Sequence, residues 1–364
     1  MGNFQCYHSG KAVELLNQLN ISLILSTYQA GKVIILSSDG IKMHQLVRDF
    51  SRPMGIAVKN NMMALAGALC VTVFRTDANL AATYPNKPNT YDALYFPTSM
   101  FRTDYVDMHD IAFTNKGLVG VNTSFSCLCR LDAQYSFNPV WKPSFIEKFV
   151  PGDLCHLNGM AADDNGNICF VTAFGKTNSR EGWRQNKLTG GVLIDVESNE
   201  ILLESLPMPH SPRIYNGEAY LLLSATEELI KADLKKGTYE VVAKVDGFIR
   251  GLCFKGDYAF IGVSKLRKTH TFSDLEIADK EIKAGIVIVN IKTGETVGEI
   301  KYETDVEELY DVSILEGFKR VNILNFQQSL NHRALITPYG SSWVENMVRK
   351  NKNKKARDRK TEYS

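Results

Sequence analysis

Short apolar runs recur along the whole chain and are separated by turns rich in glycine, asparagine and aspartate. The runs at 32–38 (KVIILSS) and 285–291 (GIVIVNI) are rich in β-branched residues, and the Asp-Asn-Gly sequence at 164–166 is a typical hairpin corner. This pattern is typical of many short antiparallel strands joined by tight turns. Helical periodicity is confined to residues 10–20 and, less clearly, 274–284. The sequence therefore predicts an all-β fold with a short N-terminal helix.

A polar cluster that leads directly into an apolar strand occurs six times. The clusters are SRPMGIAV (51–58), VDMHDIAF (106–113), CHLNGMAA (155–162), PHSPRIYN (209–216), GFIRGLCF (247–254) and EELYDVSI (307–314). Each interval between clusters is long enough for a four-stranded blade. Because radial repetition protects the sheet edges of a long β chain, six clusters predict a six-bladed β-propeller. The strand at 22–27 is expected to pair with the last blade and close the ring.

Three segments are expected on this basis. Residues 1–20 form an N-terminal helical segment, 21–340 the propeller, and 341–364 a flexible basic tail. Attraction of the tail to nucleic acid is the alternative, but a solvated tail is favoured because no aromatic residues are interleaved with its charges.

Composition narrows the class of partner. The 364 residues carry 42 basic and 40 acidic side chains, so the body of the protein gives no general reason to expect nucleic acid or anionic lipid. No apolar stretch is long enough to span a bilayer, and the first residues do not form a secretory signal, so a cytoplasmic location is expected. Seven cysteines scattered through apolar segments indicate reduced core thiols. The oligomeric state is left open.

Three of the seven histidines, His109, His156 and His210, fall inside three different polar clusters. In a propeller these clusters enter the innermost strands, so the three imidazoles are expected around the central channel. Three imidazoles with a free fourth position describe a catalytic metal site, with zinc or iron as the expected divalent ion. The alternative is that each histidine makes ordinary hydrogen bonds to neighbouring strands and to Asp110 or Asp153.

Charged and polar residues accompany the histidines in the same clusters. Glu307 or Asp110 is the predicted general base, and Arg213 and Arg250 are predicted to hold an anionic end of the substrate. A structural ion network is the alternative for these charges. Further substrate contacts are predicted at Tyr28, Arg52, Asn122, Asn158, Trp183 and Asp311.

The sequence resembles an uncharacterised bacterial family of β-propeller proteins. The resemblance is carried by STYQAG (26–31), HDIAF (109–113), NTSFSCL (122–128), CHLNG (155–159), GWR (182–184), MPHSPR (208–213), GFIRGL (247–252) and VEELYDV (306–312). It implies the propeller fold and no established reaction. At the level of fold, the expected arrangement of histidines is also similar to peptidyl-α-hydroxyglycine lyase, a six-bladed propeller with a channel zinc held by three histidines.

Two hypotheses for function follow. The first is a metal-dependent lyase, hydrolase, epimerase or oxygenase that acts on a small polar or anionic substrate, such as a sugar or a modified peptide, in the central channel. The second is a non-catalytic propeller that binds a peptide, a glycan or a protein partner on the same face.

Overall fold

The computed structural model of the protein describes residues 3–85, 87–266, 275, 277 and 280–344. Six sheets of four or five strands are arranged as the blades of a propeller, so the predicted fold is confirmed. Within each blade the strands follow one another in an antiparallel meander, which explains why the sequence shows short apolar runs separated by tight turns.

The blades are numbered here from the amino terminus, and their strands are given from the channel outward. Blade 1 contains Asp311–Glu316, Ile21–Ser26, Lys32–Ser38 and Met43–Asp49, and blade 2 contains Ile56–Lys59, Met62–Ala66, Cys70–Thr76 and Ala93–Arg102. Blade 3 contains Met108–Thr114, Gly117–Asn122, Cys127–Arg130 and Asn138–Trp141, and blade 4 contains Leu157–Ala162, Ile168–Ala173, Gly191–Asp195 and Ile201–Leu206. Blade 5 contains Pro209–Tyr215, Glu218–Leu223, Glu228–Asp233 and Thr238–Lys244, and blade 6 contains Phe248–Lys255, Tyr258–Ser264, Gly285–Asn290 and Thr296–Tyr302.

Strands from the two ends of the propeller sequence close the ring. Ile21–Ser26 pairs with Asp311–Glu316 in antiparallel register, with Ile24 opposite Ser313. The prediction that the strand at 22–27 closes the ring is therefore confirmed. Cys6–His8 adds a strand to the outer edge of blade 6, and Val321–Ile323 pairs in parallel with the outer strand of blade 2. A separate hairpin is formed by Ala334–Thr337 and Gly340–Trp343.

The apolar faces of the blades pack against each other to form the core. Between blades 1 and 2, for example, Ile24 and Ile35 pack with Ile56 and Phe74, all of them buried. Burial of each such side chain contributes about 1.5–3 kcal/mol, so the interfaces between blades hold the ring together.

Two helices are present among the described residues. Gly10–Gln18 begins where the side chain of Ser9 accepts a hydrogen bond from the Ala12 amide, and its buried face packs between blades 6 and 1. This is the predicted N-terminal helix. Ala78–Ala82 was not predicted. In the weaker helical candidate at 274–284, residues 280–284 are not helical, and residues 274, 276, 278 and 279 lie outside the described residues. Residues 345–364 of the predicted tail also lie outside them. No described helix is long and apolar enough to cross a membrane.

A hydroxyl group at the end of the second strand joins four of the blades to the next one. Each donates a hydrogen bond to a carbonyl where the next innermost strand begins: Ser26 to Met54 at 2.6 Å, Thr123 to Leu157 at 2.6 Å, Ser224 to Ile249 at 2.5 Å and Ser264 to Leu309 at 3.0 Å. These bonds hold the entries of the innermost strands, and the polar clusters found in the sequence lie at those entries.

Candidate functional site

The entries of the innermost strands surround a cavity of about 520 Å³ at one mouth of the channel. Its wall includes all three predicted histidines, which come from blades 3, 4 and 5. A cavity of this volume is in the range that binds small molecules. The polar clusters therefore do more than shape turns, because they supply the lining of the largest concave feature at the channel.

His109 and His210 are each held by one backbone carbonyl and one hydroxyl group. Nδ1 of His109 lies 2.9 Å from the Asp107 carbonyl and 2.7 Å from the Thr123 hydroxyl. Nδ1 of His210 lies 3.1 Å from the Met208 carbonyl and 2.6 Å from the Ser224 hydroxyl. Because a carbonyl only accepts, and each hydroxyl already donates to the next blade, Nδ1 must carry the proton in both rings. Each neutral ring then has its lone pair on Nε2.

Burial keeps these two imidazoles neutral. Removal from water, with the His156 ring adding to the effect, lowers the pKa of His109 to about 3. Burial and the nearby positive charge of Arg250 lower the pKa of His210 well below its usual value. At neutral pH both rings therefore act through Nε2 as hydrogen-bond acceptors or metal ligands.

His156 is held differently, by a carboxylate. Its Nδ1 lies 2.9 Å from Oδ2 of Asp153, and the same oxygen accepts a hydrogen bond from the Trp183 indole at 3.1 Å. Although burial opposes it, the interaction with His156 lowers the pKa of Asp153. His156 has a φ of 51°, in the left-handed region that non-glycine residues rarely adopt. Such strained residues cluster at functional sites.

The histidine rings meet one another and Phe174. The ring centroids of His109 and His156 are 5.0 Å apart and nearly perpendicular, and the Phe174 ring contacts both His156 at 4.6 Å and His210 at 5.0 Å. Among the described residues, no three histidine, cysteine, aspartate or glutamate side chains stand in an arrangement that could hold a metal ion. The ring chemistry thus suits a metal, while the placement of the three rings does not form a complete set of ligands.

Of the two adjacent glutamates, Glu308 lines the cavity and the predicted Glu307 does not. Glu307 is 72% exposed and pairs with Lys265 at 3.4 Å. Glu308 is only 4% exposed and forms an ion pair with Arg250, whose guanidinium also lies 4.1 Å from the centre of the Tyr310 ring. Arg250 is in the cavity as predicted, but its charge is engaged by an internal carboxylate.

Asp110, Arg213 and Asp311 form an ion network deeper in the channel. Nη1 of Arg213 lies 3.0 Å from Oδ2 of Asp110, and Nη2 lies 3.6 Å from Oδ1 of Asp311. Burial, opposed by Arg213 and reinforced by Asp110, raises the pKa of Asp311 to about 7. The three side chains line a second cavity of about 20 Å³, which shares His109 and His210 with the larger one. A space of that size holds about one water molecule.

This network ties together the innermost strands of all six blades. Its three members lie in blades 3, 5 and 1. The remaining three blades are reached through backbone groups: Oδ2 of Asp110 accepts from Met160, Oδ2 of Asp311 accepts from Ile56, and Arg213 donates to the Leu252 carbonyl. The alternative of a structural ion network thus accounts for every described contact of these residues, which were predicted as catalytic or substrate-binding groups.

The remaining predicted residues are divided between the cavity and the protein interior. Tyr28 and Trp183 line the larger cavity, and Arg52 lies at its rim, where it bonds to the Tyr28 hydroxyl. Asn158 lines the small cavity and bonds to the Pro209 carbonyl. Asn122 is fully buried and lines neither cavity, because its Oδ1 accepts the Phe125 amide at 3.0 Å and shapes a turn.

Several residues of the site escaped the sequence analysis. Phe174, Glu308 and Tyr310 line the cavity, while Thr123 and Ser224 fix the histidine rings. One signal was present: each of these hydroxyl residues follows its histidine by 14 positions. The other residues carry no such spacing, since their roles depend on contacts between blades.

A family model described as a domain of unknown function, DUF4915, matches residues 10–324. No curated protein matches the chain. Among solved structures, the chain is similar to a protein of unknown function from Bacteroides caccae, with 10% identity, a TM-score of 0.51, and coverage of 81% of this chain and 99% of that one. It is also similar to a chain from a nidogen/laminin complex, with 10% identity, a TM-score of 0.49, and coverage of 82% and 99%. At these identities the likeness concerns the fold alone.

Proposed function

The chain belongs to the DUF4915 family, and because that family is one of unknown function, we propose an activity from the cavity itself: an enzyme that transfers a proton to or from a small polar molecule. The observation that carries the proposal is the hydrogen bond from Nδ1 of His156 to Asp153. A carboxylate that binds Nδ1–H orients the ring and leaves Nε2 as the basic atom, the arrangement of a general base. His156 also lines the cavity.

The neighbouring groups support a role for His156 that differs from the roles of His109 and His210. His109 and His210 stay neutral, so they accept hydrogen bonds from the ligand, while His156 exchanges the proton. Trp183 donates to the same oxygen of Asp153 and thereby fixes the carboxylate. The cavity volume of about 520 Å³ suits a ligand the size of a sugar or a short modified peptide. Many lyase, epimerase and hydrolase reactions include such a proton transfer.

Turnover of a mixed pool of small polar metabolites, followed by mass spectrometry, tests the proposal. Wild-type protein should consume at least one compound, and His156→Gln should consume it about 10²–10⁴-fold more slowly. The rate of consumption by Asp153→Asn should lie between the rates of wild type and His156→Gln. His44→Gln is the matched control, because His44 also pairs with an aspartate, Asp39 at 2.8 Å, but on the exposed surface of blade 1.

The non-catalytic binding module is the outcome that would overturn this proposal. In that case compounds, peptides or glycans from the pool would bind to wild-type protein and be recovered unchanged. Loss of His156 would then weaken binding in a graded way, without any change in the composition of the pool.

The second candidate is a metal-dependent enzyme that uses zinc or iron at His109, His156 and His210. It is favoured by the 5.0 Å separation of the first two rings, since two imidazoles with nitrogens about 2 Å from one ion have centroids about 5 Å apart. The Nδ1 hydrogen bonds of all three rings are also those usual for metal-bound histidines. When bound, the ion would polarise a substrate oxygen or a water molecule.

Elemental analysis separates the two candidates. A metal enzyme should contain or take up one equivalent of zinc or iron, and His109→Ala, His156→Ala and His210→Ala should each lose it. A wild-type protein that cannot be loaded to a stoichiometric level would eliminate the metal-dependent candidate and leave proton transfer by His156.

A further inference from the structure

The cavity wall combines hydrogen-bond acceptors deep in the channel with an arginine, Arg180, on its exposed part. Building on the proposed function, we infer that the ligand is a polyol that carries one anionic group, with its hydroxyls directed inward and its carboxylate or phosphate outward against Arg180. The deep part of the wall supplies Nε2 of His109 and His210.

The lone pair on Nε2 of each of these rings is the strongest indication of a missing donor. Nδ1 carries the proton in both rings, and among the described residues no group donates a hydrogen bond to either Nε2. Ligand hydroxyls in the cavity would supply these two hydrogen bonds. Oδ1 of Asp153 also has no partner among the described residues, but it is buried out of reach of the cavity and is not part of the ligand site.

Among the exposed cations of the wall, Arg180 is the one without a carboxylate partner in the described part of the chain, since Lys265 pairs with Glu307 at 3.4 Å. Arg184 pairs with Glu181 at 2.9 Å and lies 4.5 Å from the centre of the Trp183 ring. Arg180 also lines the cavity, is exposed, and forms no ion pair within the described part of the chain. It is the group best placed to receive an anion from solvent.

Two arginines were predicted from the sequence to hold the anion of a substrate, but both already form ion pairs within the protein. Arg213 holds Asp110 and Asp311, and Arg250 holds Glu308. Using either one for a ligand would leave a buried carboxylate without its cation, which is strongly unfavourable. Arg180 incurs no such loss, so the anion-binding role belongs to the loop between the second and third strands of blade 4.

Calorimetric titration with two matched pairs of probes tests the inference. Gluconate is compared with sorbitol, and glucose 6-phosphate with glucose, so that each pair differs in its anionic group. For one of the two pairs the charged member should bind wild-type protein about tenfold more tightly, the worth of one charge-assisted contact. Arg180→Gln should abolish that preference, and Arg75→Gln, on an exposed strand position of blade 2, should leave it intact.

Each outcome has a definite meaning. A preference for gluconate assigns a carboxylate, and a preference for glucose 6-phosphate assigns a phosphate. Equal binding within both pairs, or a preference that survives Arg180→Gln, overturns the anionic group while the proton-transfer proposal stands. Binding of none of the four probes overturns the polyol assignment. The proton-transfer proposal is then judged separately, by the loss of metabolite turnover in His156→Gln.

Discussion

Arg213 of blade 5 donates from Nη1 to Oδ2 of Asp110 in blade 3, past the intervening blade 4 and over 103 positions of sequence. The same guanidinium bonds to backbone carbonyls at Met160 and Leu252, in the two blades that flank its own. One side chain thus links four blades through hydrogen bonds. The cavity above it can keep its shape only if those blades keep their places.

Replacement of Arg213 by methionine should destabilise the protein strongly. Asp110 and Asp311 would be left buried without their cation, which costs about 3–5 kcal/mol of unfolding free energy. Arg213→Lys should lose less, because it keeps the charge but not the forked hydrogen bonds. Urea denaturation measures both, with Arg75→Met, an exposed arginine, expected within about 0.5 kcal/mol of wild type. An Arg213→Met protein as stable to urea as wild type would contradict the structural role of Arg213.

The adjacent glutamates at 307 and 308 should differ sharply. Glu308→Gln removes the buried partner of Arg250 and should lower the unfolding free energy by about 3 kcal/mol or more. Glu307→Gln removes only an exposed pair with Lys265, worth at most about 1 kcal/mol. Thermal and urea denaturation of the two variants side by side provide the comparison. Equal effects would show that the two side chains had been assigned to the wrong surroundings.

His109 should make the protein sensitive to acid. Burial lowers the pKa of His109 to about 3 in the folded protein, whereas an unfolded chain protonates histidine near its ordinary value of about 6.5. Between these values the unfolded state binds the additional proton, so the stabilising effect is present above about pH 6.5 and is lost as the pH falls.

This dependence is measurable as a difference between variants. The stability advantage of wild type over His109→Asn should shrink as the pH falls from about 6.5, by up to about 1.4 kcal/mol per pH unit. Urea denaturation at a series of pH values gives the two curves. The exposed His332, replaced in the same way, should leave the pH dependence unchanged. Parallel curves for wild type and His109→Asn would refute the prediction.

Thr123→Val should remove a hydrogen bond that holds the His109 ring and another that joins blade 3 to blade 4. The Thr123 hydroxyl accepts from His109 and donates to the Leu157 carbonyl of blade 4, so its loss leaves two buried polar groups with fewer partners, at about 1–3 kcal/mol. Thr226→Val, which removes an exposed hydroxyl, should have little effect. Denaturation measures the stability, and ¹⁵N spectra should show a shifted Nδ1 resonance of His109 in Thr123→Val alone, because its proton then keeps only the Asp107 carbonyl as acceptor.

The propeller could be predicted because its signals are local. Apolar runs, turn residues and polar strand entries recur with every blade, and a strand at each end must be paired to remove the sheet edges. The gathering of His109, His156 and His210 at one cavity followed from the same repeat, since equivalent positions in successive blades face the same channel.

The partners of the charged residues could not be predicted in this way. Glu307 and Glu308 lie outside a regular strand, so no alternation of faces indicates which of them turns inward. Arg213 meets Asp110 inside the channel, past the intervening blade 4, and a sequence does not show which side chains reach each other there. The histidines and one hydrogen-bond partner, Asp153, were named from the sequence. The other partners, Asp107, Thr123, Met208 and Ser224, were not, because they lie in loops at the strand ends.

The closing strand Asp311–Glu316 sets the order in which the site can be assembled during synthesis. Ile21–Ser26 leaves the ribosome early but finds its partner only after almost all of the propeller has been translated. Glu308 and Tyr310, which complete the cavity wall, emerge just before that partner. A chain interrupted after blade 5 would contain all three histidines and still have no cavity. Translation of the closing strand is thereby a condition for forming the cavity, and the fold itself enforces it.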